Sequence, residues 1–259
     1  MQRQLLATLC TAEPLIRRPF VLDVDDAIFL GPRGHHADRI ARRAQVVICG
    51  NAFIAEHFGA QCTVTVLPTA VDTQRFTPGG RTAAAPTLGW SGSAGGFPYL
   101  VAIQPALQIL MACYPDLRLR VISNAQPQLP MLPASRIDYV KWSPDNEVGA
   151  LQDLTVGLMP LADTLWERGK CSFKMLTYMA CGVPVVVTPV GMNLEVLARA
   201  DVGYAARGRD AWVDAIADLL DAPSRARAMG ANGRRVVSEH YALDVVAERL
   251  AALLEAQLA

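Results

Sequence analysis

The sequence lacks an excess of either charge and lacks any pattern of cysteines that would bind a metal. Its 24 Lys and Arg residues balance 24 Asp and Glu residues, which argues against the broad basic surface of a nucleic-acid-binding protein. The six cysteines form no CxxC pair and no Cys/His spacing of the kind that holds zinc. Buried free thiols are the simplest interpretation, so we expect a reducing compartment.

Long apolar runs are also missing. No stretch approaches the roughly 20 residues of a membrane span, and the opening MQRQLLATLC is too short and too polar for a secretion signal. Hydrophobic residues nevertheless make up 52% of the 259 residues, which is enough for a sizeable core. We therefore expect a folded cytoplasmic protein. Peripheral contact with the inner face of the membrane and homo-oligomerisation stay open.

Short β-rich runs alternate with helical patterns along the chain. The runs, several of them continuously apolar, occupy 20–24, 45–49, 63–67, 87–91, 117–122, 137–142, 154–160 and 183–188. Continuous apolar runs are typical of strands buried on both faces of a parallel sheet. Apolar residues at helical spacing predict helices over 98–114, 210–222 and 243–259. The alternation predicts an α/β fold of the doubly wound kind.

A break in composition divides the chain. Pro, Gly, Thr and Ala cluster without periodicity at 77–87, as in an interdomain linker. Five predicted strands follow the break and three precede it, whereas a doubly wound domain usually has about six. We therefore predict a partial N-terminal Rossmann-like domain over 1–78, a complete C-terminal one over 79–242, and a final helix over 243–259.

The stretch GKCSFKMLTYMACGVPVVV (169–187) places two lysines at a predicted strand-to-helix junction. The strand over 154–160 precedes it, and the helix begins near Ser172. Ligands of an open parallel sheet bind beyond the carboxyl ends of the strands, where a helix N-terminus offers free N–H groups to a phosphate. Lys170 and Lys174 would add full positive charges there. The alternative is a Ser-capped helix start whose basic residues are simply solvated.

The loop GWSGSAGG (89–96) follows the first strand after the linker. Its glycines are spaced GxxGxxG, which is not the GxGxxG fingerprint of dinucleotide-binding proteins. A Gly/Ser loop in this place lets a phosphate or sugar approach the backbone closely. A plain turn fits the residues equally well.

The stretch LDVDDAIF (22–29) places Asp23, Asp25 and Asp26 at the end of a strand. Asp-x-Asp spacing can hold a divalent cation, but no further ligand is evident nearby. A catalytic or substrate-orienting carboxylate is therefore the preferred interpretation, and solvated or helix-capping aspartates are the alternative.

These stretches together resemble the glycosyl transferases group 1 family, which are retaining enzymes of the GT-B fold. VLPTAVDTQRFTP (66–78) is similar to the segment that joins the two domains of that family, and 169–197 is similar to its donor-site signature. The similarity extends over about residues 19–250. It implies two facing Rossmann-like domains, with the nucleotide-sugar donor on 79–242, the acceptor on the N-terminal side, and the final helix crossing back to that side.

The resemblance implies a glycosyltransferase that moves a sugar from a nucleoside-diphosphate sugar to a glycan, lipid or small-molecule acceptor. The reaction would proceed with retention, without a metal and without any cofactor beyond the nucleotide-sugar co-substrate. Family members run longer at the N-terminus, so two alternatives stay open: a donor-binding module without activity, and an enzyme that needs another chain for its acceptor site. A nicotinamide oxidoreductase is disfavoured by the missing fingerprint.

The resemblance also implies site residues, position by position. The two glutamates of the family's donor signature align with Gly169 and Thr177, and Glu167 could substitute for the first. The family's histidine after an N-terminal strand aligns with Asp25, so Asp25 and its neighbour Asp26 are the candidate catalytic residues. The predicted donor-binding residues are Ser91, Gly92, Ser93, Trp142, Gly169, Lys170, Cys171, Ser172, Lys174 and Thr177.

Overall fold

The computed structural model describes residues 19–80 and 85–257, which form two parallel sheets. Parts of the predicted N-terminal domain (1–18), of the linker (81–84) and of the last helix (258–259) lie outside the described residues. The strands are β1 Val21–Val24, β2 Val46–Cys49, β3 Val64–Val66, β4 Thr87–Ser91, β5 Arg118–Ser123, β6 Ile137–Lys141, β7 Val156–Met159, β8 Val185–Val187 and β9 Gly203–Ala205. All eight predicted strands are present, and the predicted α/β fold is confirmed.

The ninth strand was not predicted, so the count of five strands after the linker is one too low. Its sequence, Gly-Tyr-Ala, is only three residues long and begins with a glycine, so it carries no apolar run. β9 joins the sheet because it pairs in parallel with β8. This completes a six-stranded C-terminal sheet.

Helices connect the strands. They are α1 Gly34–Ala41, α2 Ala52–Gly59, α3 Phe97–Ala102, α4 Gln104–Cys113, α5 Pro144–Gln152, α6 Leu165–Arg168, α7 Phe173–Ala180, α8 Met192–Leu197, α9 Arg209–Asp221, α10 Pro223–His240 and α11 Leu243–Ala256. The single helix predicted over 98–114 is wrong: it is two helices, α3 and α4, with a bend of 62° between them. Pro105 has no N–H to continue α3 and is well placed in the first turn of α4.

The order of the six parallel strands creates a crevice. The order is β6-β5-β4-β7-β8-β9, so the chain builds outward from β4 in one direction and then from β7 in the other. Connections leave β4 and β7 toward opposite faces, which opens a crevice at the carboxyl ends of these two strands. The loop after β4 and the loop before α7 lie at this point.

The two halves of the chain share packing. One cluster of buried side chains includes Val24 and Phe58 from the N-terminal half together with Met175 and Tyr178 of α7. Helix α11 packs against the three-stranded sheet β1-β2-β3, where Val246 contacts the cluster that contains Ile48. These contacts place the carboxyl ends of β1 and β2 opposite the crevice of the six-stranded sheet.

The segment between the halves is fixed by side-chain hydrogen bonds. The guanidinium of Arg234 donates to the carbonyl oxygens of Thr73, Phe76 and Ala180 at 2.6–3.0 Å. Thr73 and Phe76 precede the linker, and Ala180 is the last residue of α7. Arg234 on α10 therefore holds the segment before the linker next to the end of α7.

Over 19–80 and 85–257, no single helix has the length and apolar character needed to cross a membrane. Only α3 and α4 taken together, across their bend, meet those criteria. Leu100, Leu107 and Leu110 of this pair are fully buried in the core of the C-terminal sheet.

Candidate functional site

Two adjoining cavities lie at the crevice. The smaller, about 240 Å³, is lined by Ser91, Gly92, Ser93, Asn124, Trp142, Glu147, Phe173, Lys174 and Thr177. The larger, about 600 Å³, lies between the two halves and is lined by Asp25, Asp26, Thr69, Ser93, Gly95, Gly96, Tyr99, Met159, Leu161, Trp166, Lys170, Cys171, Ser172, Phe173 and Lys174. Three residues, Ser93, Phe173 and Lys174, belong to both linings. One extended ligand could therefore occupy both cavities by passing Lys174.

Lys174 occupies the junction of the cavities with its charge uncompensated. Its ammonium lies 5.1 Å from the ring centroid of Trp90, and no described residue forms an ion pair with it. Burial, with a smaller contribution from the charge of Lys170, lowers the pKa of Lys174 to about 8. Gly92 makes room for this side chain, since a Cβ there would lie 2.7 Å from Nζ. An anionic group bound here would relieve the cost of partly burying this charge.

Lys170 is arranged differently from Lys174. Its ammonium forms an ion pair with the carboxylate of Asp26 at 3.2 Å, and it lies 5.0 Å from the ring centroid of Trp166. Asp26 belongs to the N-terminal half, so this pair spans the larger cavity between the halves. In this conformation Lys170 is committed to a protein carboxylate.

The backbone around Lys170 is held by the N-terminal half. The side-chain amide of Asn51 donates to the carbonyl oxygens of Arg168 and Lys170 at 3.3 and 3.1 Å. At Gly169, a Cβ would lie 2.5 Å from the Cβ of Ala27, so only glycine permits this approach. Gly169 therefore contacts the other half and lines neither cavity.

Asp25 contributes a partly buried carboxyl to the larger cavity. Its Oδ1 is buried and finds no hydrogen-bond partner among the described residues. Burial, followed by the charges of Asp26 and Asp23, raises the pKa of Asp25 to about 6. The thiol of Cys171 donates to the backbone oxygen of Asp25 at 2.9 Å. Asp25 thus brings a carboxyl of raised pKa to the lining of the larger cavity.

Glu167, the possible substitute for the first glutamate of the donor signature, has a carboxylate that is engaged within the protein. It is buried, and it accepts hydrogen bonds from the hydroxyls of Tyr99 and Thr164. Burial and this hydrogen bond raise the pKa of Tyr99 to about 12. Glu167 lines neither cavity, whereas Tyr99 lines the larger one. Glu167 therefore positions Tyr99 and the α6 segment.

Ser172 does not cap the N-terminus of α7, so the alternative of a Ser-capped helix start is wrong. Ser172 adopts a left-handed conformation with φ 53°, the only positive φ among described residues other than glycine. Its hydroxyl donates to the side chain of Asn193 at 2.7 Å and does not cap α7. The first N–H groups of α7 are therefore left without a side-chain cap beside Lys174. Strained backbone of this kind is frequent at functional sites.

The smaller cavity combines aromatic rings with hydrogen-bonding groups. Trp142 and Phe173 expose 44% and 43% of their surfaces. The buried Thr177 hydroxyl donates to the Lys174 carbonyl oxygen at 2.8 Å and retains its capacity to accept. Glu147 adds a carboxylate to the same lining. Such a set suits a nucleoside, which has one flat apolar part and one part rich in hydroxyls.

All predicted site residues except Gly169 line one of the two cavities. Lining a cavity does not test whether these residues bind the donor or take part in catalysis, so those roles stay predictions. The sequence patterns did not indicate the further residues Asn51, Tyr99, Asn124, Glu147, Trp166 and Phe173. Of these, Phe173 and Trp166 flank the predicted lysines and could have been included by their aromatic character alone. Within 19–80 and 85–257 no group of three or more His, Cys, Asp or Glu side chains could hold a metal ion.

The chain is similar in sequence to known glycosyltransferases. Residues 85–222 match the family model described as Glycosyl transferases group 1. A GDP-mannose-dependent monoacylated alpha-(1-6)-phosphatidylinositol monomannoside mannosyltransferase of Corynebacterium glutamicum is 26% identical over 230 residues. A D-inositol 3-phosphate glycosyltransferase of Stackebrandtia nassauensis is 32% identical over 216 residues. These alignments cover 77% and 71% of this chain but only 58% and 47% of the two relatives.

Solved structures show the same architecture. HepE of Anabaena, in complex with UDP and glucose, superposes with a TM-score of 0.75 at 14% identity, over 92% of this chain and 72% of that one. Sucrose-phosphate synthase of Thermosynechococcus elongatus superposes with a TM-score of 0.72 at 15% identity, over 94% of this chain and 69% of that one. At these identities the likeness shows the fold alone.

Proposed function

Since this chain belongs to the glycosyl transferases group 1 family and has a GT-B-like fold, we propose that it transfers a sugar from a nucleoside-diphosphate sugar to an acceptor hydroxyl. The observation that carries the proposal is Lys174, a half-buried ammonium without an anionic partner among the described residues, at the junction of two cavities. A diphosphate at Lys174 would leave the nucleoside in the smaller cavity and the sugar in the larger one.

The departing diphosphate needs positive charge as the glycosidic bond breaks. Lys174 and the uncapped N–H groups of α7 provide it from a half-buried position, where electrostatic stabilisation is stronger than in bulk water. We extend the proposal to chemistry without a metal, because these groups can compensate the diphosphate charge, and to retention at the anomeric carbon, which the family resemblance implies. The metal-free and cofactor-free reaction stays a prediction.

Asp25 is the proposed base. The bond from the anomeric carbon to the diphosphate oxygen breaks, the acceptor oxygen bonds to that carbon on the same face, and the acceptor proton passes to Asp25. A carboxyl with a pKa of about 6 is ionised at neutral pH yet basic enough to assist. Asp26 acts beside it by holding Lys170. The acceptor, whether glycan, lipid or small molecule, would enter through the larger cavity.

The comparisons support the donor class without fixing the donor. One relative is named for GDP-mannose, whereas the HepE structures contain UDP or UDP-glucose. GDP-mannose and UDP-glucose are both nucleoside-diphosphate sugars, and the two cavities favour that class. The cytoplasmic location, the peripheral membrane contact and the homo-oligomer stay predictions.

Calorimetric titration of UDP, GDP and ADP, with NADH as the control for an oxidoreductase, tests donor binding. We expect saturable binding of at least one diphosphate and none of NADH. If none of the three diphosphates binds, the proposal fails. Incubation with UDP-glucose or GDP-mannose and a panel of acceptors then tests transfer, read out as released diphosphate. Binding without transfer to any acceptor would favour the donor-binding module or the enzyme that requires a second chain.

A further inference from the structure

A third cavity of about 380 Å³, here called the side cleft, adjoins the larger cavity. It is bounded by α3 and the start of α4, by the loop after β7 and by the start of α9, and its lining includes Ala102 and Trp212. Tyr99 and Leu161 line both the side cleft and the larger cavity, whereas no described residue lines both the side cleft and the smaller cavity. The larger cavity therefore adjoins the smaller cavity at Lys174 and the side cleft at Tyr99.

The side cleft lies where the chain bends by 62° between α3 and α4. Ala102 and Ala106 line it on either side of this bend, and their methyl groups leave its space open. Pro160, Thr188 and Ala206, which follow β7, β8 and β9, line it from the sheet. The side cleft is therefore at the carboxyl edge of the six-stranded sheet, the edge at which ligands of open α/β sheets bind.

Both hydroxyl groups in the lining of the side cleft are engaged within the protein. The Tyr99 hydroxyl donates to Glu167, and the Thr188 hydroxyl oxygen accepts from the Leu161 N–H at 3.0 Å. Much of the remaining lining consists of proline, alanine, leucine and isoleucine. A strongly hydroxylated ligand would find few partners here, whereas an apolar group would gain by leaving water.

The charged side chains in the lining are paired with oppositely charged neighbours. Asp163 forms ion pairs with Arg207 at 2.9 Å and with Arg168 at 3.2 Å. Arg209 pairs with Asp210 at 2.7 Å. Each of these side chains is at least a third exposed, so the charges lie at the rim of the side cleft, where solvent reaches them. Its interior is apolar.

One donor inside the side cleft has no partner. Trp212 is 3% exposed and lines the side cleft, and its indole N–H donates to no group among the described residues. Buried tryptophans usually find a hydrogen-bond partner for this N–H, so a ligand oxygen that accepts from it would complete the site. The side cleft thus suits a ligand group that is mostly apolar and is joined to an oxygen.

The occupant follows from the position of the side cleft beside the reacting atoms. In the proposed function the nucleoside fills the smaller cavity, and the acceptor hydroxyl meets Asp25 in the larger one. The rest of the acceptor needs a neighbouring space, and the side cleft adjoins the larger cavity and has apolar walls. We infer that the side cleft binds an apolar group, alkyl or aryl, of the acceptor, an inference that rests on the proposed function. The acceptor then contacts both halves of the chain.

The test uses alkyl β-D-glucosides with methyl, butyl, hexyl and octyl chains as probes, titrated calorimetrically into the intact protein saturated with UDP, GDP or ADP. All are kept below the concentrations at which they form micelles. Each methylene that leaves water should raise affinity about fourfold, so octyl glucoside should bind wild type at least about 100-fold more tightly than methyl glucoside. Ala102→Trp should remove this dependence on chain length, because the larger side chain occupies the side cleft.

Val101→Trp is the matched control. Val101 is exposed and belongs to the same helix, but it lines none of the three cavities, so this variant should keep the wild-type dependence. If a diphosphate binds but chain length has no effect in wild type, or has the same effect in Ala102→Trp, the inference is overturned and the proposed function stands. If none of the three diphosphates binds, the proposed function fails and the inference fails with it. A wild-type dimer that Ala102→Trp dissociates, seen by sedimentation, would place a second copy in the side cleft and overturn the inference alone.

Discussion

Replacing Lys174 by methionine should make the ligand-free protein more stable at pH 7 and less able to bind a diphosphate. The folded protein holds the pKa of Lys174 at about 8, whereas the ordinary value is 10.5. Between these two values the unfolded chain binds a proton that the folded protein does not, so the free energy of unfolding rises with pH across that window. The difference between a pKa of 10.5 and one of about 8 corresponds to about 3 kcal/mol.

The difference between wild type and Lys174→Met should follow this window. It should favour the variant by up to about 3 kcal/mol near pH 7 and shrink as pH approaches 10.5, because the neutral amine is no longer penalised by burial. Urea denaturation at several pH values measures it. Lys141→Met is the matched control, since Lys141 is an exposed lysine outside both cavities. That variant should show no such pH dependence.

Binding should be linked to proton uptake by the same group. At pH 8.5 only about a quarter of Lys174 is protonated when its pKa is about 8, so a bound diphosphate that holds the charge should draw in about three quarters of a proton. Titration in two buffers of different ionisation enthalpy measures this number. Lys174→Met should take up none and should bind UDP, GDP or ADP at least about tenfold more weakly. Equal affinity and equal proton uptake in both proteins would refute the assignment of Lys174 to the diphosphate.

Three further predictions concern the region between the halves. Gly169→Ala should lower the thermal midpoint, because its Cβ would lie 2.5 Å from the Cβ of Ala27. Gly149→Ala, in helix α5 with open space around it, should raise the free energy of unfolding by up to about 1 kcal/mol. Equal effects of the two substitutions would contradict the close approach at Gly169. A double-mutant cycle of Lys170→Met and Asp26→Asn should give a coupling of about 0.2–1 kcal/mol by urea denaturation, as for other partly exposed pairs, and additive effects would show that the pair does not tie the halves. The transfer rate should rise as pH passes about 6, where Asp25 loses its proton. Asp25→Asn should remove this pH dependence and lower the rate about 100-fold or more. An unchanged pH profile in that variant would exclude Asp25 as the base.

The sequence was sufficient for most of the fold. Eight β-rich runs, several of them continuously apolar as strands buried on both faces require, appear at the positions of observed strands. β9 was missed because its three residues derive their stability from pairing with β8 and carry no periodic signal. The bend between α3 and α4 was missed because the apolar stripe continues through Pro105. An apolar stripe indicates which residues are buried, but it does not show that proline lacks the N–H needed to continue a helix.

For the site, the sequence identified residues that lie close together along the chain. The loop 89–96 and the stretch 169–177 each follow a strand of a parallel sheet, and the carboxyl ends of such strands meet at one edge. Glu147 and Asn51 were not identified, because each acts on residues far away in sequence. Asn51, for example, contacts a backbone oxygen 119 residues later. Such contacts have no local pattern.

The clearest division concerns the two lysines. The sequence by itself determined that Lys170 and Lys174 stand at the start of α7, four residues apart and chemically identical. Only the tertiary structure decided that Lys170 is neutralised by Asp26, 144 residues away, while Lys174 is half-buried and has no anionic partner among the described residues. The physical reason is that burial and pairing of a charge depend on what packs around it. In this protein the surroundings of the two ammonium groups come from different halves of the chain.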